Sequence, residues 1–570
     1  MISCGFRKHS IYQKEILPAP RSGWWIVLLI AGSCLFQTPC AAGEYKSELA
    51  VPPDTLPIKQ PRPLNPDHIG DGLNRLFTKS FVRTFDAARY VRMAAHKPIE
   101  AANVNAYDES PNSSWYTARI SERAMSTSEL MNGPDSLPGP DTSGLWTIIK
   151  GKSRGAVPGF VIKDRRNDIY LLKLEYPGYP ELLSGAEVIC TKILYAAGYN
   201  VPANYVSVFD PKRLRIKPNI TFTDNRKRTM PFTEVELNGL LSTQNPLPGG
   251  RIRIMASKWI KGTPLGGWAF TGTRIDDPND RIPHERRREL RGLRVIAAWL
   301  NYFDLNRGNM LDVYDTGARY VRHYLLDFHN TLGSSTNGPL DPTEGMEPYF
   351  SMTHFLRNVV SIGFYKAPWE KIDSMPFRSA GNWYSYWFHP NEYQPLLPTR
   401  PFEDMTDRDA FWGARIVCSF TDHQIDAIVR TAQYSDPAAQ AYVARVLKER
   451  RDIIDRYYFS RVSPLDRFVL TGPTPGGDYL LRFNDFAVES GLASSSGRRY
   501  QFFLGARPGS QIMQGPAITF NRKEIQGMGD RAATLRIRAS RIGSKGWCRA
   551  VRLDIATSPD GAVHIAGITR

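Results

Sequence analysis

Short apolar runs bounded by turn residues open the most regular stretch of the chain. Trp146-Thr147-Ile148-Ile149 reads as a strand, and a loop rich in Gly, Lys and Arg leads to a second at Phe160-Val161-Ile162. The turn at 164–167 introduces a third, Ile169-Tyr170-Leu171-Leu172-Lys173-Leu174, because β-branched and aromatic residues between polar turn clusters are the strand signal. The period changes at Glu181, from which apolar residues recur at helical spacing to Ala197, and Gly198 supplies a left-handed cap. Strands come next near 205–208 and 252–256, then a helix over 286–300 and a strand at Tyr324-Leu325-Leu326. Beyond Gly333 the pattern is mainly helical: Thr421 with Gln424 forms a capping box, and Asp436-Pro437 is a cap followed by proline at the first helical position. From about 461 to 570 it changes again, to short runs such as Tyr479-Leu480-Leu481-Arg482-Phe483 and Ala533-Thr534-Leu535-Arg536-Ile537, which predict strands.

Upstream of these elements, residues 44–140 are rich in Pro, Asn and Ser. A helical repeat of Leu73, Leu76, Phe77, Phe81 and Phe85 within them predicts an extension packed on the next domain, and 131–144 reads as a linker. The amino terminus sets Arg7, Lys8, Lys14 and Arg21 before an apolar run at 24–36 and small residues at 40–42, the layout of an export signal. Cleavage after Ala42 and a lipid anchor at Cys34 both stay open; the run is short for a full membrane span, and its basic flank orients the rest away from the cytoplasm. The expected division is 1–43 as export signal or anchor, 44–140 as extension and linker, 141–262 as a mixed lobe, 263–460 as a helical lobe and 461–570 as a β-rich accessory domain. The fold class is α+β with two lobes.

Composition narrows this picture in a few places. A chain of 570 residues exceeds one hydrophobic core, and 42% hydrophobic with 11% aromatic residues excludes a disordered chain. The net charge of +17 favours anionic partners such as nucleotides or phospholipid headgroups. The densest basic run holds Arg286, Arg287, Arg288, Arg291 and Arg294. Leu290, Leu293, Ala297 and Leu300 recur through it at helical spacing, so it is expected as a solvated helix face rather than a nucleic-acid patch. Cysteines at 4, 34, 40, 190, 418 and 548 show no disulfide framework or zinc-ligand spacing, and Cys190 reads as a core thiol. Neither a G-x-S-x-G elbow nor an H-E-x-x-H helix is present, which removes two hydrolase classes.

The remaining candidates suit phosphoryl transfer, which needs a cation on the phosphates, a carboxylate near the attacking hydroxyl and oxygen ligands for magnesium. Asp304-Leu305-Asn306-Arg307-Gly308-Asn309 places Asn five residues after Asp, between a helix and a strand. Leu325-Leu326-Asp327-Phe328 ends that strand with a carboxylate beside an aromatic residue. Lys173 shares a strand face with Ile169 and Leu171, where its ammonium needs an anion or an outward path. Fourteen residues later Glu187 lies on a largely apolar helix stripe as its candidate partner. Lys150-Gly151-Lys152-Ser153-Arg154-Gly155, between the first two strands, reads either as an ordinary hairpin loop or as a cover over phosphates, with Lys152 and Gly155 in contact with them.

These residues resemble the atypical kinases of the protein-kinase-like superfamily, the HipA-type bacterial kinases and the phosphatidylinositol 3- and 4-kinases, over about 146–333. Asp327-Phe328-His329-Asn330-Thr331-Leu332-Gly333 is similar to the lipid-kinase metal motif. The resemblance implies ATP and Mg2+ as cofactors, Lys173 on the phosphates with Glu187 as partner, Asp304 as catalytic carboxylate, Asn309 and Asp327 on the metal, and 256–262, with Trp259, as the adenine hinge. Tyr302-Phe303 stand where typical protein kinases have His-Arg, and His329 replaces the metal-motif glycine, so activation by loop phosphorylation is not expected. The expectation is an exported kinase-like phosphotransferase with a hydroxyl acceptor not named by the sequence. Its alternative is a pseudokinase acting as an envelope-associated binding module. Residues after about 461 are expected to be dispensable for nucleotide binding.

Overall fold

The computed structural model describes residues 53–65, 67–95, 97–152, 157–223, 228–350, 352–370, 375–505, 511–521, 533–542, 545–558 and 561–570. The expected export segment, with Cys34, and the loop residue Gly155 lie outside the described residues.

The three predicted strands are β1 (Trp146–Gly151), β2 (Gly159–Lys163) and β3 (Ile169–Leu174). Helix α1 (Leu182–Ala197) comes next and ends on Gly198 at φ 117°. The chain continues through β4 (Asn204–Phe209), β5 (Leu214–Ile216), the small hairpin β6 (Thr221–Thr223) and β7 (Thr229–Pro231), and β8 (Ile252–Lys258). The sheet order is β4-β8-β3-β2-β1-β5, antiparallel except for the β1–β5 pair. One face buries Ile148, Phe160, Ile162, Tyr170, Leu172, Leu174 and Ile254 in a single cluster, as the alternation of the sequence requires.

The segment 263–460 is less helical than its pattern suggests. It opens with a three-stranded sheet of β9 (Thr263–Gly266), β10 (Met310–Asp315) and β11 (Tyr320–Leu325), in the order β11-β10-β9. Helix α2 (Arg288–Leu300) lies between β9 and β10, and the main helices α3 (Asp407–Cys418), α4 (Asp422–Arg430) and α5 (Pro437–Phe459) come later. The capping box of α4 and the Asp436 cap of α5 form as the sequence predicts. Residues 465–569 contribute a three-stranded and a five-stranded antiparallel sheet.

The arginine run is not a solvated face. Arg287, Arg288 and Arg291 are buried, with Arg288 2.7 Å from Asp409 and 2.9 Å from Asp108, Arg291 3.3 Å from Asp409, and Arg287 3.3 Å from Asp280. Carboxylates outside the helix, Asp108 and Asp409 remote in sequence and Asp280 just upstream, supply the counter-charges, and a paired guanidinium tolerates an interior that an isolated one would not. The expected linker is likewise tied down: Asp135 pairs with Lys258 at 2.7 Å, and the Asp141 N–H donates to Asp164 at 2.9 Å. Cys190, Cys418 and Cys548 are free thiols, Cys190 in the core. Among the described residues no helix is long and apolar enough to cross a membrane.

Candidate functional site

Strand β3 fixes Lys173 opposite Gly159 of β2 and Met255 of β8, while its neighbours Leu172 and Leu174 face the core. Only 4% exposed, Lys173 forms an ion pair with Glu187, which α1 buries completely, and its Nζ lies 2.6 Å from Asp327 Oδ1. The second Glu187 oxygen accepts from Asn204 Nδ2 at 2.9 Å and from the Phe328 N–H at 3.1 Å. Glu187 is thus oriented by three donors from a strand, a second strand and the loop after β11.

Electrostatics depend on this crowding. Burial pulls the Lys173 pKa down, but the Asp327 and Glu187 carboxylates outweigh it and hold the ammonium above its ordinary value. Burial likewise works to raise Asp327, and His329 with Lys173 outweighs it, holding the carboxyl well below the usual range. Both groups therefore stay charged across the physiological range.

Asp327 sits at φ 60°, in the left-handed region that Asp tolerates better than bulkier residues. That bend sends the Phe328 ring into the core, fully buried and 5.6 Å from Tyr302, while the Asp327 side chain stays partly exposed. The Tyr302 hydroxyl donates to the Leu326 carbonyl at 3.0 Å, so the aromatic residue standing in place of histidine braces the strand end.

The second half of the site begins where α2 ends, on Asn301 at φ 52°. Asp304 accepts from Asn306 at 2.6 Å, Asn330 at 2.8 Å and Asn309 at 3.0 Å. Asn309 also receives the Leu326 N–H on its carbonyl at 2.8 Å, which ties the Asp304 loop to the strand that delivers Asp327. With Nδ2 engaged on Asp304, Asn309 has its side-chain oxygen to offer a cation. Glu187, Asp327 and His329 hold ligand atoms within 4.8 Å of one another. Of these, Asp327 offers the carboxylate oxygen that a hard divalent cation such as Mg2+ takes, whereas Glu187 is already held by Lys173, Asn204 and the Phe328 N–H and an imidazole suits softer metals.

Lys152 approaches from β1. Its Nζ donates to the Val157 carbonyl, and its pKa is pushed down to about 8 by burial and then by the Lys173 charge, against the pull of Asp327 and Glu187. Trp259 is half exposed. Its N–H donates to Ile169 at 2.9 Å, four residues along β3 from Lys173, so it stands at the strand end rather than in the cluster.

Solved kinase structures are similar to part of this chain. The proinflammatory kinase CtkA of Helicobacter pylori is 12% identical with a TM-score of 0.31, covering 56% of this chain and 98% of that one. The Golgi casein kinase with Mn/ADP bound is 8% identical with a TM-score of 0.27, covering 56% and 73%. A further structure of the Golgi casein kinase is 8% identical with a TM-score of 0.26, covering 56% and 72%. No protein-family model and no curated protein matches the chain. At these scores the side-chain geometry, not the likeness, carries the chemistry.

Four further residues shape the site in roles that the sequence analysis did not assign to them. His329 bonds Asp327, and Asn330 bonds Asp304; both stand directly after Asp327-Phe328, where the motif itself points. Asn204 reaches Glu187 from β4 with no pattern to announce it. Arg75, buried in the N-terminal extension, donates to the Leu305 carbonyl at 2.9 Å and to Thr399 Oγ1 at 2.7 Å, bracing the Asp304 loop from 230 residues away.

Proposed function

We propose that this chain is an exported, atypical kinase-like phosphotransferase that binds ATP with Mg2+ and transfers the γ-phosphoryl group to a hydroxyl acceptor. The observation that carries the proposal is the meeting of Lys173 on the third strand, Glu187 on the helix after it and Asp327 at the end of β11. A Lys–Glu pair beside a metal-binding Asp is the arrangement by which protein kinases hold ATP for phosphoryl transfer.

In this reading Lys173 holds the phosphates, and Glu187 keeps its ammonium aimed while Asn204 and the Phe328 N–H keep Glu187 aimed. Asp327 and Asn309 would hold the magnesium ion, which supplies charge neutralisation on the β- and γ-phosphates. Asp304 orients the acceptor hydroxyl and takes its proton as the new O–P bond forms and the bond to ADP breaks, with Asn306, Asn309 and Asn330 fixing the carboxylate. Lys152 adds positive charge beside Lys173. Export rests on the amino-terminal sequence, and N-terminal sequencing of the mature protein tests it.

A second reading, a pseudokinase serving as a binding module, is favoured by one contact: His329 sits on the Asp327 oxygen that also meets Lys173. It shares nucleotide binding and differs in transfer. The test is the thermal midpoint of the full chain with ATP, with and without magnesium, alongside Asp327→Ala and Lys173→Ala. The expected result is a magnesium-dependent rise lost in both variants. No rise in a folded sample overturns nucleotide binding, and a rise without turnover of labelled ATP selects the binding module.

A further inference from the structure

The helical stretch 68–84 is amphipathic, and its polar face is the one that packs. Arg75, Lys79 and Arg83 turn inward: Arg75 donates to the Leu305 carbonyl at 2.9 Å, Lys79 to the Thr271 hydroxyl at 2.8 Å, and Arg83 meets Asp404 at 2.7 Å. The apolar repeat that the sequence assigns to packing on the next domain points the other way. Ile69, Leu73, Phe77, Phe81 and Phe85 are each 53–70% exposed, and the Phe81 and Phe85 rings stand 4.6 Å apart.

The Phe77 ring lies 6.0 Å from that of Phe350, which joins this stripe to a second apolar segment. There the helix Met352–Val360 buries none of its described side chains. Phe355, Leu356, Val359 and Val360 are 52–83% exposed, and Ile362 and Phe364 beyond it are 85% and 88% exposed. A helix of 9 residues is too short to hold its shape in water by its own hydrogen bonds, and this one has no packed face to hold it. The exposed aromatic rings of the two segments alone present on the order of 700 Å2 of surface at about half exposure each. That exceeds the roughly 300–600 Å2 of the largest apolar patch on an ordinary monomer, so the surface marks a docking face.

Charge selects the occupant. Residues 349–366 include Arg357 and Lys366, both exposed, and no Asp or Glu. Over 68–97 the acids are Asp71, 3.8 Å from Arg75, and Asp86, 3.6 Å from Arg92, which leaves Arg89 and Lys97 without a carboxylate partner among the described residues. Just outside the two segments Asp67 caps the first helix, and Glu347 accepts from Trp369 Nε1 at 2.8 Å. A second copy seated on this face about a two-fold axis would set these cations against themselves. An anionic lipid surface takes up the apolar side chains and the cations together. We propose that the stripe 69–85 and the helix Met352–Val360 form a peripheral docking face for an anionic bilayer, with the phenylalanines at the boundary of headgroups and acyl chains. Both halves are tied to the loop that carries Asp304: Arg75 bonds the Leu305 carbonyl, and the Tyr349 N–H bonds the carbonyl of Leu396, whose own N–H bonds the Phe303 carbonyl. The inference stands on this surface and does not rest on the phosphotransferase reading.

The experiment floats the full chain with vesicles of phosphatidylcholine alone and of phosphatidylcholine and phosphatidylglycerol in equal parts, and reads hydrogen–deuterium exchange on the same samples. Wild type is compared with the double variants Phe81→Ser with Phe355→Ser and Arg357→Gln with Lys366→Gln. The wild type is expected to float with the mixed vesicles, several-fold less with phosphatidylcholine alone, and to gain exchange protection at 68–85 and 352–364 only when vesicles are present. The phenylalanine variant is expected to lose most of the binding, and the Arg357 and Lys366 variant the preference for anionic vesicles. Exchange locates the contact, so flotation through the apolar run at 24–36 without protection of the two segments overturns the proposal. Failure of the wild type to float, equal flotation with both kinds of vesicle, or undiminished flotation of the folded phenylalanine variant overturns it as well. Protection of the same segments without lipid, with a dimer in light scattering, overturns it in favour of a second copy. Should a variant fail to fold, exchange on the wild type decides alone.

Discussion

Lys152 is the residue whose titration reaches furthest into function. Folded, it loses its proton near pH 8 rather than at its ordinary 10.5, because burial and the Lys173 ammonium both oppose its charge. Between those two values the unfolded chain binds more protons, so this group makes stability rise with pH over the same span in which the site loses a cation. ATP affinity measured by calorimetry is therefore expected to fall several-fold from pH 7 to pH 9, and Lys152→Met is expected to flatten the dependence. Unchanged affinity in the wild type would remove Lys152 from the nucleotide site. At this scale the sequence was readable where partners are joined by regular structure. Lys173 and Glu187, fourteen residues apart on a strand and the next helix, were within reach of spacing arguments, and so was the Asp304–Asn309 turn. Arg75 and Asn204 were not, because their contacts arise only once the distant segments have packed.

Among the elements, α2 shows how charge can mislead when a pattern is read one helix at a time. Its apolar stripe was legible and is buried as expected, yet its arginines turn inward as well, because α3 presents Asp409 to both Arg288 and Arg291. The two helices cross closely enough that a Cβ on Gly292 would fall 2.4 Å from the Trp412 ring, so the interface leaves no room for water to screen these charges. Removing one partner from such a cluster strands the others, at a cost of about 3–5 kcal/mol. Asp409→Ala is accordingly expected to lower stability by about that amount in denaturant titration. A loss below about 0.5 kcal/mol would mean the charges are hydrated after all, since exposed ion pairs contribute at that level.

Across the whole molecule, the strands after residue 461 are keyed to the helices before them. Arg415 of α3 meets Asp466 at 2.7 Å, and the Phe459 and Phe486 rings stack at 5.5 Å. Cutting the chain there would bare both contacts, so dispensability for nucleotide binding must be judged on a sample shown to be folded. Asp455 of α5 stands at this joint, buried, with Oδ1 lacking a hydrogen-bond partner among the described residues. Burial above all, with Asp452 beside it, pushes its pKa up to about 7. The native state then holds a proton that the unfolded chain has released between about pH 4 and 7, and stability falls as pH rises through that window. Asp455→Asn is expected to remove the slope and raise stability at pH 7.5 by roughly 1–3 kcal/mol, read from melting at several pH values. An unaltered profile would show that the carboxyl is solvated.

At the other end of the described chain, the Ile58 N–H bonds the Arg319 carbonyl, the Leu64 N–H bonds that of Leu265, and the Tyr314 hydroxyl bonds the Ile58 carbonyl. This strap grips the same small sheet whose strands begin directly after Asn309 and end two residues before Asp327. Tension on the chain ahead of residue 53 would be met first at Asp54, which accepts from the Ser114 N–H at 2.9 Å and from its hydroxyl at 2.8 Å, and then at that grip. The load path then runs along β10 and β11 to the two side chains proposed to hold magnesium, so mechanical force and metal affinity share one lever.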